Sequence, residues 1–234
     1  MLEINNLYVN IGNLSIIQDV SLKVGDGEIV ALIGANGMGK TTLVRALSKL
    51  NSVKSGKIFF KGEDITDLSA DKIVEKGIIQ VPEGRKLFPQ MSVIENIEMG
   101  AYAKRARTKE KENLEYVFTV FPELKSMLKQ ACGNLSGGQQ QMVAIARSIM
   151  ASPELLILDE PSIGLSPIAT QKMFEAIELI NKSGIGILIT EQNVQQVLKM
   201  ADTAYAMQQG KIALSGKASD IAADDELKKI YIGM

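Results

Sequence analysis

Three observations predict an α/β fold with a parallel sheet at its centre. The runs Ile29-Val30-Ala31-Leu32-Ile33, Leu155-Leu156-Ile157-Leu158 and Ile187-Leu188-Ile189 are apolar at every position, as strands buried on both faces must be. A stretch of helical spacing, Gln171 to Asn181, separates the second from the third. The first run passes through Gly34-Ala35-Asn36-Gly37-Met38-Gly39-Lys40-Thr41-Thr42 into a helical pattern, Leu43-Val44-Arg45-Ala46-Leu47. That turn fits G-x-x-x-x-G-K-[ST], and it stands between a strand and a helix, where a phosphate-binding loop has to be.

The residue types of the turn follow from that chemistry. Glycines at 34, 37 and 39 let the main chain wrap closely around phosphates, so that successive N–H groups and the next helix N-terminus face negative charge. Lys40 supplies a fixed cation for the β- and γ-phosphates, and the Thr41 hydroxyl suits Mg²⁺. A nucleoside triphosphate is the expected ligand.

Taken in order, the chain first alternates. Leu2, Ile4, Leu7 and Val9 read as one strand, Val20, Leu22 and Val24 as another, and Lys57-Ile58-Phe59-Phe60 as a third, with turns at Gly12-Asn13 and Gly25-Asp26-Gly27. They predict a small antiparallel sheet beside the core. Gly77 to Val81 reads as a buried strand that Pro82 ends, opening into the loop Glu83-Gly84-Arg85-Lys86-Leu87-Phe88-Pro89. From Ser92 to about Met150 the spacing is helical, so a helical lobe is expected at about 84–150, inserted between core segments 1–83 and 151–234. Its mixed-charge run Lys104 to Glu112 is expected to be a solvated helix or loop. Thr203 to Met207 reads as strand, and Asp224 to Tyr231 as an amphipathic tail helix.

Composition narrows the class. A net charge of −1 gives no basic excess for nucleic acid, no apolar stretch approaches a membrane span, and the start Met1-Leu2-Glu3-Ile4 is no signal peptide. One cysteine, Cys132, forms no internal disulfide, so a cytoplasmic location is expected.

Two further motifs accompany the phosphate loop. Leu135-Ser136-Gly137-Gly138-Gln139 places a serine and two glycines at the expected start of a helix, a second anion-binding arrangement. Asp159 and Glu160 end a buried strand, where one carboxylate can hold a metal and the next, pointing to the other side, can face the γ-phosphate. With these three motifs in this order the chain resembles the nucleotide-binding subunit of ATP-binding cassette (ABC) transporters along essentially its whole length. Gly34 to Thr42 is similar to the Walker A loop, Leu135 to Gln139 to the family signature, and Leu155 to Glu160 to the Walker B strand. The resemblance implies ATP and Mg²⁺ as ligands, Thr41 and Asp159 at the metal, and Glu160 as the base. It implies a head-to-tail dimer in which Ser136, Gly137 and Gly138 of one subunit cap the nucleotide held by the other.

Three positions depart from the general family. The loop glutamine falls on Glu83, Gln80 being three residues too early and within the strand; the switch histidine falls on Gln192, in a chain with no histidine; and the adenine-stacking aromatic falls on Ile11, with Tyr8 as a possible substitute. Together with Pro82-Glu83-Gly84-Arg85, Glu160-Pro161-Ser162-Ile163-Gly164-Leu165-Ser166-Pro167, Glu191-Gln192-Asn193 and Tyr231-Ile232-Gly233, they resemble the second ATPase subunit of branched-chain amino acid importers. Urea and amide importers share much of the set.

The resemblance implies ATP hydrolysis driving solute uptake through transmembrane permease subunits, with no direct solute contact, by a subunit peripheral on the inner face of the membrane. The ATPase partner is an identical or a sister subunit. Leu87 and Phe88 are expected either to anchor a membrane partner or to join the core of the lobe. Among rivals, a chromosome-associated ATPase needs a long coiled coil between the first two motifs, and only 94 residues separate Thr41 from Ser136. A soluble assembly factor using the same ATPase remains the alternative.

Overall fold

The computed structural model describes residues 1–224; beyond its first residue, the tail helix expected from Asp224 to Tyr231 lies outside them. The chain opens with β1 (Leu2–Ile11), β2 (Leu14–Val24), β3 (Ile29–Ile33) and α1 (Lys40–Leu47). It continues through β4 (Val53–Phe60), β5 (Glu63–Asp64), α2 (Ala70–Glu75) and β6 (Ile78–Val81). A helical stretch follows, with α3 (Val93–Glu98), α4 (Lys104–Arg107), α5 (Glu110–Val120) and α6 (Gly137–Met150) joined by short 3₁₀ turns. Then come β7 (Leu155–Asp159), α7 (Pro167–Lys182), β8 (Gly186–Glu191), α8 (Val194–Met200), β9 (Thr203–Gln208), β10 (Lys211–Lys217) and α9 (Ala218–Ala223).

These elements form two compact units. Among the described residues, one contains Met1–Ile73 and 186–224; the other is Val74–Ile185.

In the first unit β1 pairs antiparallel with β2 and β4, giving the sheet order β2-β1-β4-β5. The apolar spacing Leu2, Ile4, Leu7, Val9 skips a residue because Asn6 adopts a left-handed conformation (φ 48°) and shifts the register. Leu7 thereby returns to the buried face, while Asn6 bonds to Asp19 and Ser21 on β2. The second sheet of this unit centres on β3, whose five residues are all buried. It runs parallel to β8 on one side and β9 on the other, and β10 closes the edge antiparallel to β9.

In the second unit β6 and β7 pair in parallel, Ile78 opposite Leu155 and Val81 opposite Leu158. The expected helical stretch is cut into short pieces for local reasons. Ser92 and Glu95 form a reciprocal cap that starts α3, and Pro122, which cannot extend a helix interior, follows the end of α5. The charge run is largely solvated, but Ala106 within it is fully buried and Arg105 is partly buried against Gly77, donating to Glu154 and to the Glu75 carbonyl. No helix among the described residues is long and apolar enough to cross a membrane.

Candidate functional site

The first unit holds the phosphate loop. β3 ends at Gly34, where a Cβ would lie 2.6 Å from the Met207 carbonyl oxygen, so the close approach of the loop to β9 requires glycine. Gly37 (φ 77°) and Gly39 (φ 105°) make the two left-handed bends that fold the loop back, and Gly39 is the N-cap of α1 with no side-chain cap. Lys40 opens α1 only 4% exposed, and its ammonium donates to the Gly34 (2.6 Å) and Ala35 (3.2 Å) carbonyls. The loop is thus wound around its own cation, with Thr41 and Thr42 following on the helix.

A brace not foreseeable from the sequence holds this loop from outside. The turn between β9 and β10 donates Gly210 N–H to the Met38 carbonyl (3.1 Å) and Gln209 N–H to the Met38 sulfur (3.3 Å). Gln18 N–H in turn donates to the Gly210 carbonyl (2.8 Å), and a Cβ at 210 would meet the Ile16 carbonyl oxygen. From sequence Gln209-Gly210 reads only as a turn, since the partner lies 171 residues away.

Gln192 follows β8 in the same unit; the register pairing Ile33 with Glu191 sets it level with the start of the loop. Ile11 ends β1, 51% exposed, opposite Leu14 at the tip of the hairpin. Tyr8 lies on the other face of β1 from Leu7 and Val9 and is half-buried.

The second unit holds the remaining residues. Asp159, 2% exposed, ends the wholly buried β7. Glu160, also buried, does not continue the strand: it is left-handed (φ 48°), and its carbonyl accepts from Ile163 N–H (3.2 Å). Its direction is therefore set by a strained turn rather than by strand alternation, at a cost of about 1–2 kcal/mol for a non-glycine residue. Ser136 caps α6 by a reciprocal pair with Gln139, its hydroxyl accepting from Gln139 N–H (3.3 Å) and its N–H donating to Gln139 Oε1 (2.9 Å). Gly137 and Gly138 form the first turn of that helix.

Glu83 stands exposed at the start of an unusual loop. Gly84, Arg85 and Lys86 are left-handed in succession, with φ of 75°, 64° and 47°. Arg147 on α6 holds the loop by donating to the carbonyls of Arg85 and Lys86, both at 3.0 Å, and its burial pulls its pKa below the usual guanidinium value. Asn96, fully buried, fastens the next residues by accepting from Phe88 N–H and donating to the Phe88 carbonyl. Phe88 itself is exposed and Leu87 half-buried. Gln80 lies within β6, its amide nitrogen and oxygen both buried without a partner.

The comparisons with known proteins fit this inventory. A family model described as ABC transporter matches residues 17–163. The chain belongs to the ABC transporter ATP-binding family. Along its whole length this ABC ATPase is 39% identical to the high-affinity branched-chain amino acid transport ATP-binding protein BraG of Pseudomonas aeruginosa, each chain being covered completely. It is 33% identical to the probable LivF protein of Archaeoglobus fulgidus, covering all of this chain and 99% of the other. The lipopolysaccharide export ATP-binding protein LptB of Haemophilus influenzae is 32% identical over 100% of this chain and 97% of its own. Among solved structures, a nucleotide-free ATP-binding cassette of an ABC transporter superposes with a TM-score of 0.87 at 27% identity, covering 100% of this chain and 99% of that one.

Proposed function

We propose that this ABC ATPase drives import of branched-chain amino acids, working from the inner face of the membrane on transmembrane permease subunits and paired with a second ATPase subunit. The observation that carries this reading is the full-length similarity to BraG, together with Glu83 and Gln192 at the loop and switch positions.

In this reading the wound loop from Gly34 to Thr42 binds the phosphates, and Lys40 exchanges its two carbonyl acceptors for the β- and γ-phosphate oxygens. Ile11, exposed at the hairpin tip, packs on the adenine in place of an aromatic ring. The Thr41 hydroxyl and the Asp159 carboxylate are hard oxygen donors that suit Mg²⁺, which supplies charge neutralisation at the phosphates when bound with nucleotide. Glu160 takes the proton of the attacking water, and Gln192 donates a hydrogen bond to the γ-phosphate. Glu83 orients that water from the loop after β6. Ser136, Gly137 and Gly138 cap the nucleotide of the partner subunit. The exposed Phe88, within the helical segment at about 84–150, serves as an anchor for the permease.

The test is reconstitution of the chain with the membrane proteins that co-purify with it. ATP hydrolysis in vesicles should rise when a solute-binding protein loaded with leucine, isoleucine or valine is supplied. A complex that ignores these amino acids refutes the solute, and stimulation by lipopolysaccharide would favour the export role of LptB.

A further inference from the structure

The loop after β6 and the approach to Ser136 are joined by side chains whose arrangement exceeds what holding a loop requires. The Arg85 guanidinium donates through Nη1 to Gln140 Oε1 (3.3 Å), and Gln140 Nε2 donates to the carbonyls of Cys132 and Leu135, both at 3.2 Å. Leu135 is the residue before Ser136. We propose that Arg85 is a positioning residue that, through the Gln140 amide, ties the setting of the Ser136–Gly138 segment to the conformation of the loop carrying Glu83.

Four observations support this. First, an amide can accept from a cation and donate to carbonyls at the same time, whereas a carboxylate can only accept; Gln140 uses both capacities, one toward each segment. Second, Gln140 and Arg147 lie seven residues apart on α6, two turns along one face, and both reach residues 85–86. The loop is therefore gripped at its carbonyls and at its side chain by one helix. Third, Arg85 lies against the first turn of α6, its Nη2 3.1 Å from where a Gly137 Cβ would stand. A cation near a helix N-terminus opposes the helix dipole, so helix stability does not explain the placement. Fourth, the reach of Arg85 depends on consecutive left-handed backbone at 84–86, two of whose residues are not glycine. Any change in the loop that relaxes this backbone withdraws the guanidinium and releases Gln140 from one of its two tasks.

The functional consequence rests on the reading above, in which Ser136–Gly138 cap the nucleotide of the partner: Glu83 reports on one ATP, and the segment set by Arg85 meets the other. The hydrogen-bond relay itself is tested without that reading. Hydrogen exchange on the isolated, nucleotide-free chain should show exchange across 132–139 rising about fivefold in Arg85→Met, as for loss of one charge-assisted hydrogen bond. Gln140→Leu should loosen both 132–139 and 83–88. Gln140→Glu, which keeps the acceptor for Arg85 and loses the donors, should loosen 132–139 alone. Variants that each disturb only their own segment would overturn the proposal. A second arm uses the Glu160→Gln chain with Mg-ATP, where Arg85→Met should weaken ATP-driven association about tenfold while monomer affinity for ATP stays unchanged. Weaker association with unchanged exchange at 132–139 would make Arg85 a nucleotide contact and overturn the positioning role. If Glu160→Gln associates neither with itself nor with a sister ATPase subunit supplied to it, the capping reading fails and the exchange arm still decides the relay.

Discussion

The phosphate loop and the loop carrying Glu83 both leave the carboxyl end of a parallel strand, β3 in one unit and β6 in the other, and both bend sharply through left-handed residues. They are held by opposite means. The phosphate loop takes its bends at Gly37 and Gly39, and the groups that grip it are mostly its own main chain and that of the Gly210 turn. The Glu83 loop places Arg85 and Lys86 where glycine would be easier and offsets the strain with the side chains of Arg147 and Gln140. A loop held mainly by main-chain groups tolerates exchange of the side chains around it, whereas a side-chain-held loop keeps its shape only while those side chains stay in place.

That difference orders what mutations should do. The largest effect is expected at Lys40, whose ammonium the phosphate loop winds around: Lys40→Ala should reduce ATP hydrolysis by about two orders of magnitude or more while circular dichroism shows a folded chain. Wild-type turnover in the folded variant would remove the loop from the site. Glu160→Gln comes next. It keeps the shape of a residue already held in a strained turn and removes only the charge, so kcat should fall about 10²- to 10⁴-fold with ATP affinity retained. Loss of ATP binding instead would show that Glu160 shapes the loop rather than acting on water.

Gln192→Ala should slow turnover about tenfold, since one hydrogen bond to a charged oxygen is lost. An amide does not titrate, and the chain has no histidine, so the rate profile of the parent should show no ionisation near the ordinary histidine value of about 6.5. Such an ionisation in kcat would contradict the role given to Gln192.

The last two variants probe the comparison directly. Gly210→Ala forces a Cβ into the Ile16 carbonyl and should destabilise the chain by about 1–3 kcal/mol in urea titration, with weaker ATP affinity because Met38 loses its brace. Lys86→Gly should do the reverse on a smaller scale. Relief of left-handed strain against added freedom in the unfolded chain leaves a change between about zero and 1 kcal/mol toward stability. Clear destabilisation by Lys86→Gly would mean that the strain at residue 86 is not real.

The same contrast explains what could be read from sequence. The apolar runs at 29–33, 155–158 and 187–189 and the glycine spacing at 34, 37 and 39 are local, and the strands and phosphate loop appear where they were expected. That Ser136, Gly137 and Gly138 stand at the start of a helix was legible for the same reason, although the capping pair of Ser136 and Gln139 was not. The Arg147 grip on residues 85 and 86 was not, because about 60 residues separate donor from acceptors and an arginine on a helix face carries no sign of its target. Nor was the left-handed turn at Glu160, whose type is shared by many strand ends. Asn6 was half legible: the irregular apolar spacing around it was visible, and its cause, a bulge, needed the partner strand.

The position of β3 has a consequence for how the protein comes into being. Its ladders are with β8 and β9, residues 187–191 and 203–206, and the turn that braces Met38 comes later still. A nascent chain therefore displays the whole glycine motif early, yet the central strand has no neighbour until residues 187–206 have left the ribosome. ATP cannot reward a chain that lacks β8 and β9, so these strands must be made before nucleotide can help to separate sound molecules from truncated ones.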